Sequence, residues 1–230
     1  MLLPANDIEH PLAQSFRAFV EDRAFPCVGA KSALGNEQMR FVVARDIRSG
    51  WDDLRIYPNL LDLAQSYRAT PTLFQSLVVL FEEDPALDEP AFEDVLWQRV
   101  QSLSDKDDWL GQKPDPRVSA DPDSPHFSLS FGGEAFFVVG LHPHASRPAR
   151  RFERPALVFN LHDQFEQLRA QGRYEPLREA IVARDVKLAG AANPMLSRHG
   201  STSEARQYSG RLVGDDWRCP FSAREVQNVA

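Results

Sequence analysis

Apolar residues along the chain fall into two kinds of spacing, and the switches between them outline the elements. Leu12, Phe16, Phe19 and Val20 recur at i, i+4, i+7 and i+8, which predicts a first helix over about 11–22. Phe25-Pro26-Cys27-Val28-Gly29-Ala30 follows, with proline and glycine flanking a thiol, and reads as a tight connector. Phe41, Val42 and Val43 cluster in a β-like segment at 39–44. Leu60, Leu63, Ala64 and Tyr67 return to helical spacing near 59–69, and 72–81 is dense enough in Leu, Val and Phe for a buried strand. Asp88 is placed to cap the next helix, with Pro90 in its first turn and a stripe of Phe92, Val95, Leu96, Val100 and Leu103.

The second half begins with an irregular stretch, 105–125, holding Gly111, four prolines and six aspartates. A long loop stiffened in this way is expected to cover something. Phe127-Ser128-Leu129-Ser130-Phe131 then alternates strictly, Gly132-Gly133 supplies a turn, and 135–141 returns as an apolar run, which predicts a β-hairpin over 127–141. A further strand is expected at 156–161, then helices at about 162–171 and 175–188 and a polar tail over 190–230. No internal repeat or low-complexity tract interrupts the pattern. It predicts one α+β domain over 1–230, with a mainly antiparallel central sheet packed by helices.

Composition narrows the function classes. The formal charge of −7 over 230 residues disfavours a nucleic-acid-binding surface. No run approaches 18 apolar residues and 1–11 carries Asp7 and Glu9, so neither a membrane span nor a signal peptide is expected and the cytoplasm is the expected compartment. The two cysteines, Cys27 and Cys219, form no CxxC or CxxCH and read as reduced thiols. Fifteen phenylalanines suggest an aromatic core or pocket.

The residues with chemistry gather after the hairpin. The apolar strand ends at Leu141 and delivers His142, followed by Pro143 and His144, to the edge of the core. A neutral imidazole there is a candidate metal ligand, although a His beside Pro at a strand end also serves as a turn residue. Arg147, Arg150, Arg151 and Arg154 follow closely, a cationic cluster in an acidic chain. It suits the carboxylates of a cofactor, or structural partners such as Asp121, Asp123 and Glu134. An apolar ring system with two carboxylates and an iron, as in haem, would satisfy the histidine, the aromatics and the arginines together. Zinc on His142 and His144 would need a further ligand from His126, His162 or His199. No GxGxxG is present.

Phe25-Pro26-Cys27 near the start and Cys219-Pro220-Phe221 near the end frame further blocks: 131–137, Gly140-Leu141-His142-Pro143, Ser146-Arg147, Arg150-Arg151-Phe152, Asn193-Pro194 and 203–211. With these the chain resembles the FPC/CPF-motif family, also called YqcI/YcgG, from about Phe25 to Phe221. The resemblance implies a haem protein that hydroxylates a nitrogen of a small amine, amino acid or guanidine. It would use dioxygen, an external electron donor and non-covalent haem b. It also implies His142 as iron ligand, with His144, Cys27 or Cys219 as alternatives. Ser146, Arg147, Arg150 and Arg151 then belong to the cofactor site. Glu204 is expected to accept hydrogen bonds from the substrate nitrogen and Tyr208 to donate to oxygen, unless 203–211 is merely a surface helix. The two thiol motifs are expected chiefly to pack, and a redox pair between them stays open. A haem sensor or carrier, a zinc hydrolase and a partner-binding protein are the rival readings.

Overall fold

The computed structural model describes residues 6–196 and 201–223. A five-stranded sheet forms its centre, from β1 (Met39–Ala44), β2 (Ser76–Phe81), β3 (Leu129–Phe131), β4 (Glu134–Leu141) and β5 (Ala156–Leu161). The spatial order is β1-β2-β5-β4-β3. Only β1 and β2 run parallel; the other neighbours are antiparallel. A parallel pair needs a crossover, and the segment between β1 and β2 supplies one as a helix. The helices are α1 (Pro11–Glu21), α2 (Val28–Gly35), α3 (Asp53–Ala69), α4 (Glu89–Trp109), α5 (Asp163–Ala170), α6 (Tyr174–Ala189) and α7 (Ala205–Tyr208). The chain is thus α+β with a mostly antiparallel sheet, as its pattern predicts.

Strand alternation divides the interior into two cores. Val42, Leu77, Val79, Phe136, Val138, Leu157 and Phe159 pack with the apolar faces of α3 and α4 and with Tyr208 of α7. Phe41, Val43, Val78, Leu80, Leu141 and Val158 pack with α1 and α2. Both faces are covered, which explains why β2 reads as a continuous apolar run.

The elements depart from the sequence reading in several places. The connector after Phe25 ends at Cys27, and Val28 opens α2; the thiol is that helix's N-cap. Helix α3 starts at Asp53, six residues early, because Asp53 is fully buried and held by Lys106, Ser102 and Arg99 from α4. Helix α4 continues to Trp109 because Asp107 turns inward to accept from Tyr57 (2.7 Å) and from the Gly132 amide (2.8 Å). The aspartates there read as loop residues, yet two of them are bonded to buried groups. The rest of the long loop packs over the hairpin, where Asp115 accepts from Arg117 and from the Ala135 amide. The hairpin strands are a little shorter than predicted on the first side and close at Phe131↔Glu134.

Candidate functional site

A cavity of about 340 Å³ lies on the α1/α2 side of the sheet. That volume falls within the range of small-molecule sites, roughly 300–1,000 Å³. Its floor comes from alternate sheet residues, including Phe137, Val139, Leu141, Val158 and Asn160. Phe16 of α1, Phe25, Phe74 and Phe165 of α5 wall it, and α6 closes one side through Leu177, Ile181 and Val182. Phe74 is held at φ +69°, a backbone conformation that costs energy for a bulky residue and is found disproportionately at functional sites.

Cys27 lines this cavity. As N-cap of α2, its sulfur accepts from the Ala30 amide at 3.4 Å. Burial pushes the thiol's pKa up, while the amides of Ala30 and Gly29 and the nearby Arg150 charge oppose that shift. The group is therefore a thiol at rest, in a place where helix amides and a cation would tolerate a thiolate. Arg150, from the short 3-10 turn Pro148–Arg150, also lines the cavity. It donates to the carbonyls of Gly140 (2.9 Å), Tyr208 (3.1 Å) and Gln207 (3.0 Å). Burial lowers its guanidinium to about 10, which leaves it charged at neutral pH. Arg147 joins it at the wall, paired with Asp185 of α6 and donating to Ala191 at 3.1 Å. The buried Nε of Arg147 has no hydrogen-bond partner among the described residues.

Acceptors gather elsewhere on the cavity wall. Glu204 lines it, 8% exposed, with Oε1 3.4 Å from Nε2 of His162. Gln164 lines it too; its amide donates to Gln75 (3.2 Å), while its buried Oε1 has no partner among the described residues. Ser76 and Asn160, hydrogen-bonded at 2.8 Å, also line it.

The expected site residues divide between the two faces. Arg147, Arg150 and Glu204 come together at the cavity with Cys27. His142 does not. Strand β4 sends Phe137, Val139 and Leu141 to the cavity, so His142 falls in register with Phe136, Val138 and Gly140 on the other face. There it is 2% exposed and stacked on Phe92 of α4, with ring centroids 4.3 Å apart at 18°. Burial lowers its pKa below the usual 6.5, and its Nδ1 has no partner among the described residues. His144 and Ser146 are exposed and do not line the cavity; the Ser146 amide donates to Glu89 at 2.8 Å. Arg151 binds the carbonyls of Ala145 (2.9 Å) and Ser146 (3.1 Å), which makes it a brace for the turn.

Tyr208 is fully buried in the core shared with α3 and α4, and its hydroxyl donates to the Phe136 carbonyl at 3.3 Å. Burial raises its phenol far above the ordinary range. It contributes to packing and does not reach the cavity. Glu134, expected to balance the arginines after His142, pairs instead with Arg68 and Arg117.

The two cysteine motifs do not meet. Cys219 packs against the α3/α4 core, its thiol pushed up to about 12 by burial, and Phe221 meets Trp97 and Phe127 at 6.3 and 5.8 Å. Both thiols are free. Among the described residues, no group of three or more His, Cys, Asp and Glu is close enough to hold a metal ion, so His142 and His144 find no third ligand there. His199 lies outside the described residues.

Sequence reasoning missed Gln164 and Asn160 as contributors to the cavity, and it named His162 only as a possible zinc ligand. Nothing in their local spacing marks them, although a buried amide beside an apolar strand is a signal of its own. Among the described residues, no helix is long and apolar enough to cross a membrane.

No solved structure gives a significant match. A Bacillus subtilis (strain 168) protein named "Uncharacterized protein YcgG" is 26% identical over 210 residues, covering 86% of this chain and 81% of that protein. The Phe25-Pro26-Cys27 wall of the cavity, the strand pair behind it and the Cys219-Pro220-Phe221 closure all fall within one family model, which spans residues 16–222, and the chain accordingly belongs to the YqcI/YcgG family.

Proposed function

We propose that this protein is a haem-dependent oxygenase that hydroxylates a nitrogen of a small amine, amino acid or guanidine, with Cys27 in place of His142 as the iron ligand. The observation that carries the reading is the Cys27 thiol, opening into a phenylalanine-walled cavity beside Arg147 and Arg150. The donor set fits the cofactor. Among the described residues one thiol and no imidazole line the cavity, phenylalanines form much of the walls, and Arg147 and Arg150 are two of the four guanidiniums available to carboxylates. One of them keeps a buried Nε without a partner among the described residues.

Haem, when bound, supplies dioxygen activation and oxygen transfer, with electrons from an external donor. The protein's share is positional. Cys27 would hold the iron as a thiolate, since coordinating thiols lose their proton outright. The Ala30 amide would continue to donate to the sulfur and limit its electron release. Arg150 would balance one propionate, and Arg147 would share its charge between Asp185 and the other. The phenylalanines exclude water, and Glu204 and Gln164 offer acceptors to the N–H groups of an amine or guanidine.

The test is a visible spectrum of protein expressed with supplemented haem, before and after dithionite and carbon monoxide. The expected result is a Soret band whose CO complex carries the long-wavelength thiolate signature. C27S should lose that signature while staying folded, because serine is a good helix N-cap. H142A should keep it. A colourless protein, or a signature that survives C27S and disappears in H142A, overturns the reading. Haem uptake with no product from amines or guanidines would leave a carrier or sensor.

A further inference from the structure

His162 stands between two openings that have no lining residue in common. Inward, its Nε2 lies 3.4 Å from Oε1 of Glu204, and Glu204 lines the large cavity. Outward, His162 lines a second cleft of about 80 Å³, made with Asp115, Arg117, His126, Asp163 and Glu166. Both partners are buried, at 7% and 8% exposure. The imidazole is well fixed: its backbone amide donates to Ala135 at 2.8 Å and its ring meets Phe165 edge-on.

We infer that Glu204 and His162 form a proton relay from the outer cleft to the cavity. The inference rests on the oxygenase reading. Hydroxylating a nitrogen consumes one dioxygen, two electrons and two protons, and releases the N–hydroxy product and one water. The cavity walls are largely apolar, so protons need a defined route. In each cycle the Glu204 carboxylate takes the Nε2 proton of the His162 imidazolium and passes it to the acceptor in the cavity. The neutral imidazole then regains a proton from solvent in the cleft. No electrons move through the pair, and both groups return to their starting charge.

The surroundings favour this traffic. From α5, Asp163 and Glu166 face the cleft, and the loop before β3 contributes Asp115, Arg117 and His126. Arg117 is the cation closest in kind to a competitor, yet it is bound to Asp115 (2.6 Å), Glu134 (2.7 Å) and Asp163 (3.0 Å). Its charge is balanced, and carboxylates dominate the approach to His162.

Two measurements test the relay. In haem-free protein, the His162 imidazole is titrated by NMR in wild type and in E204Q. Loss of the anionic partner should move the midpoint. A midpoint that does not move overturns the coupling. In haem-loaded protein, product and hydrogen peroxide are counted per electron pair consumed. H162N and E204Q should keep the thiolate spectrum, lose product formation by about 10²-fold and divert electrons to peroxide. E204D, which keeps the carboxylate, should recover part of the loss. An unchanged product-to-peroxide ratio in both H162N and E204Q overturns the relay. If no haem is taken up, the relay falls with the oxygenase reading, and the NMR titration separates that failure from a failure of the pair.

Discussion

His142 and Cys27 differ for a reason that lies in the first few ångströms around each. Both are single polarisable side chains beside proline in apolar sequence. His142 ends as a ring buried on Phe92, and Cys27 as a helix cap whose sulfur meets open space. The buried imidazole predicts a pH dependence of stability. Its folded pKa lies below the ordinary 6.5 because burial disfavours the cation. Below about pH 6.5 the unfolded chain binds a proton that the folded state refuses, so stability falls as pH drops toward the folded pKa, by at most about 1.4 kcal/mol per pH unit. Urea unfolding of wild type and H142F at pH 7.5, 6.5 and 5.5 checks this. H142F keeps a ring against Phe92 and should lose less stability over that window; identical losses would show that His142 does not titrate between the two states.

Among the elements, β4 decides the site. Its period of two aims odd-numbered residues at the cavity and even-numbered ones at α4. The hairpin and its alternation were legible in the sequence. Which face would hold the cavity was not, because both faces are apolar and both are covered. The same strand shows how closely α4 approaches. A Cβ on Gly140 would stand 2.6 Å from Leu96 Cδ1 and 2.7 Å from Phe92 Cε1, and Phe92 is already pinned against His142. G140A should therefore destabilise the protein by about 1–3 kcal/mol through overpacking, read as a lower midpoint in denaturant. An unaltered midpoint would mean that α4 can withdraw from β4. Helix α2 escaped sequence reading because proline and glycine around Cys27 signal a turn. The turn is real, but it is the start of a helix.

At the scale of the whole molecule, the two motifs that mark the family have different tasks on opposite sides of one sheet. Phe25-Pro26-Cys27 builds the cavity wall, and Cys219-Pro220-Phe221 fastens the C-terminal segment over Trp97 and Phe127. Glu93 of α4 reinforces that fastening by accepting from Ser209 (2.9 Å) and Arg211 (2.8 Å). F221A should accordingly lower stability by about 3–5 kcal/mol, the usual range for truncating a buried aromatic ring. C219S should leave haem uptake and the thiolate spectrum of wild type unchanged. A spectrum that follows Cys219 and ignores C27S would reverse the assignment of the two motifs.

Sequence by itself determined what is local and periodic: the α+β class, most strands and helices, the hairpin turn at two glycines and the blocks that mark the family. These follow from hydrophobic period and turn chemistry, which short stretches of chain carry unaided. Tertiary structure decided what depends on which surfaces face one another. It split the arginines between cavity and turn, set His142 against Phe92 and Tyr208 against the Phe136 carbonyl, and buried Asp53 and Asp107 as helix partners. It also brought Cys27, Arg147, Arg150, Gln164 and Glu204, drawn from distant segments, around one enclosed space. A side chain's chemistry is set by burial and neighbours, and these exist only once the sheet has chosen its two faces.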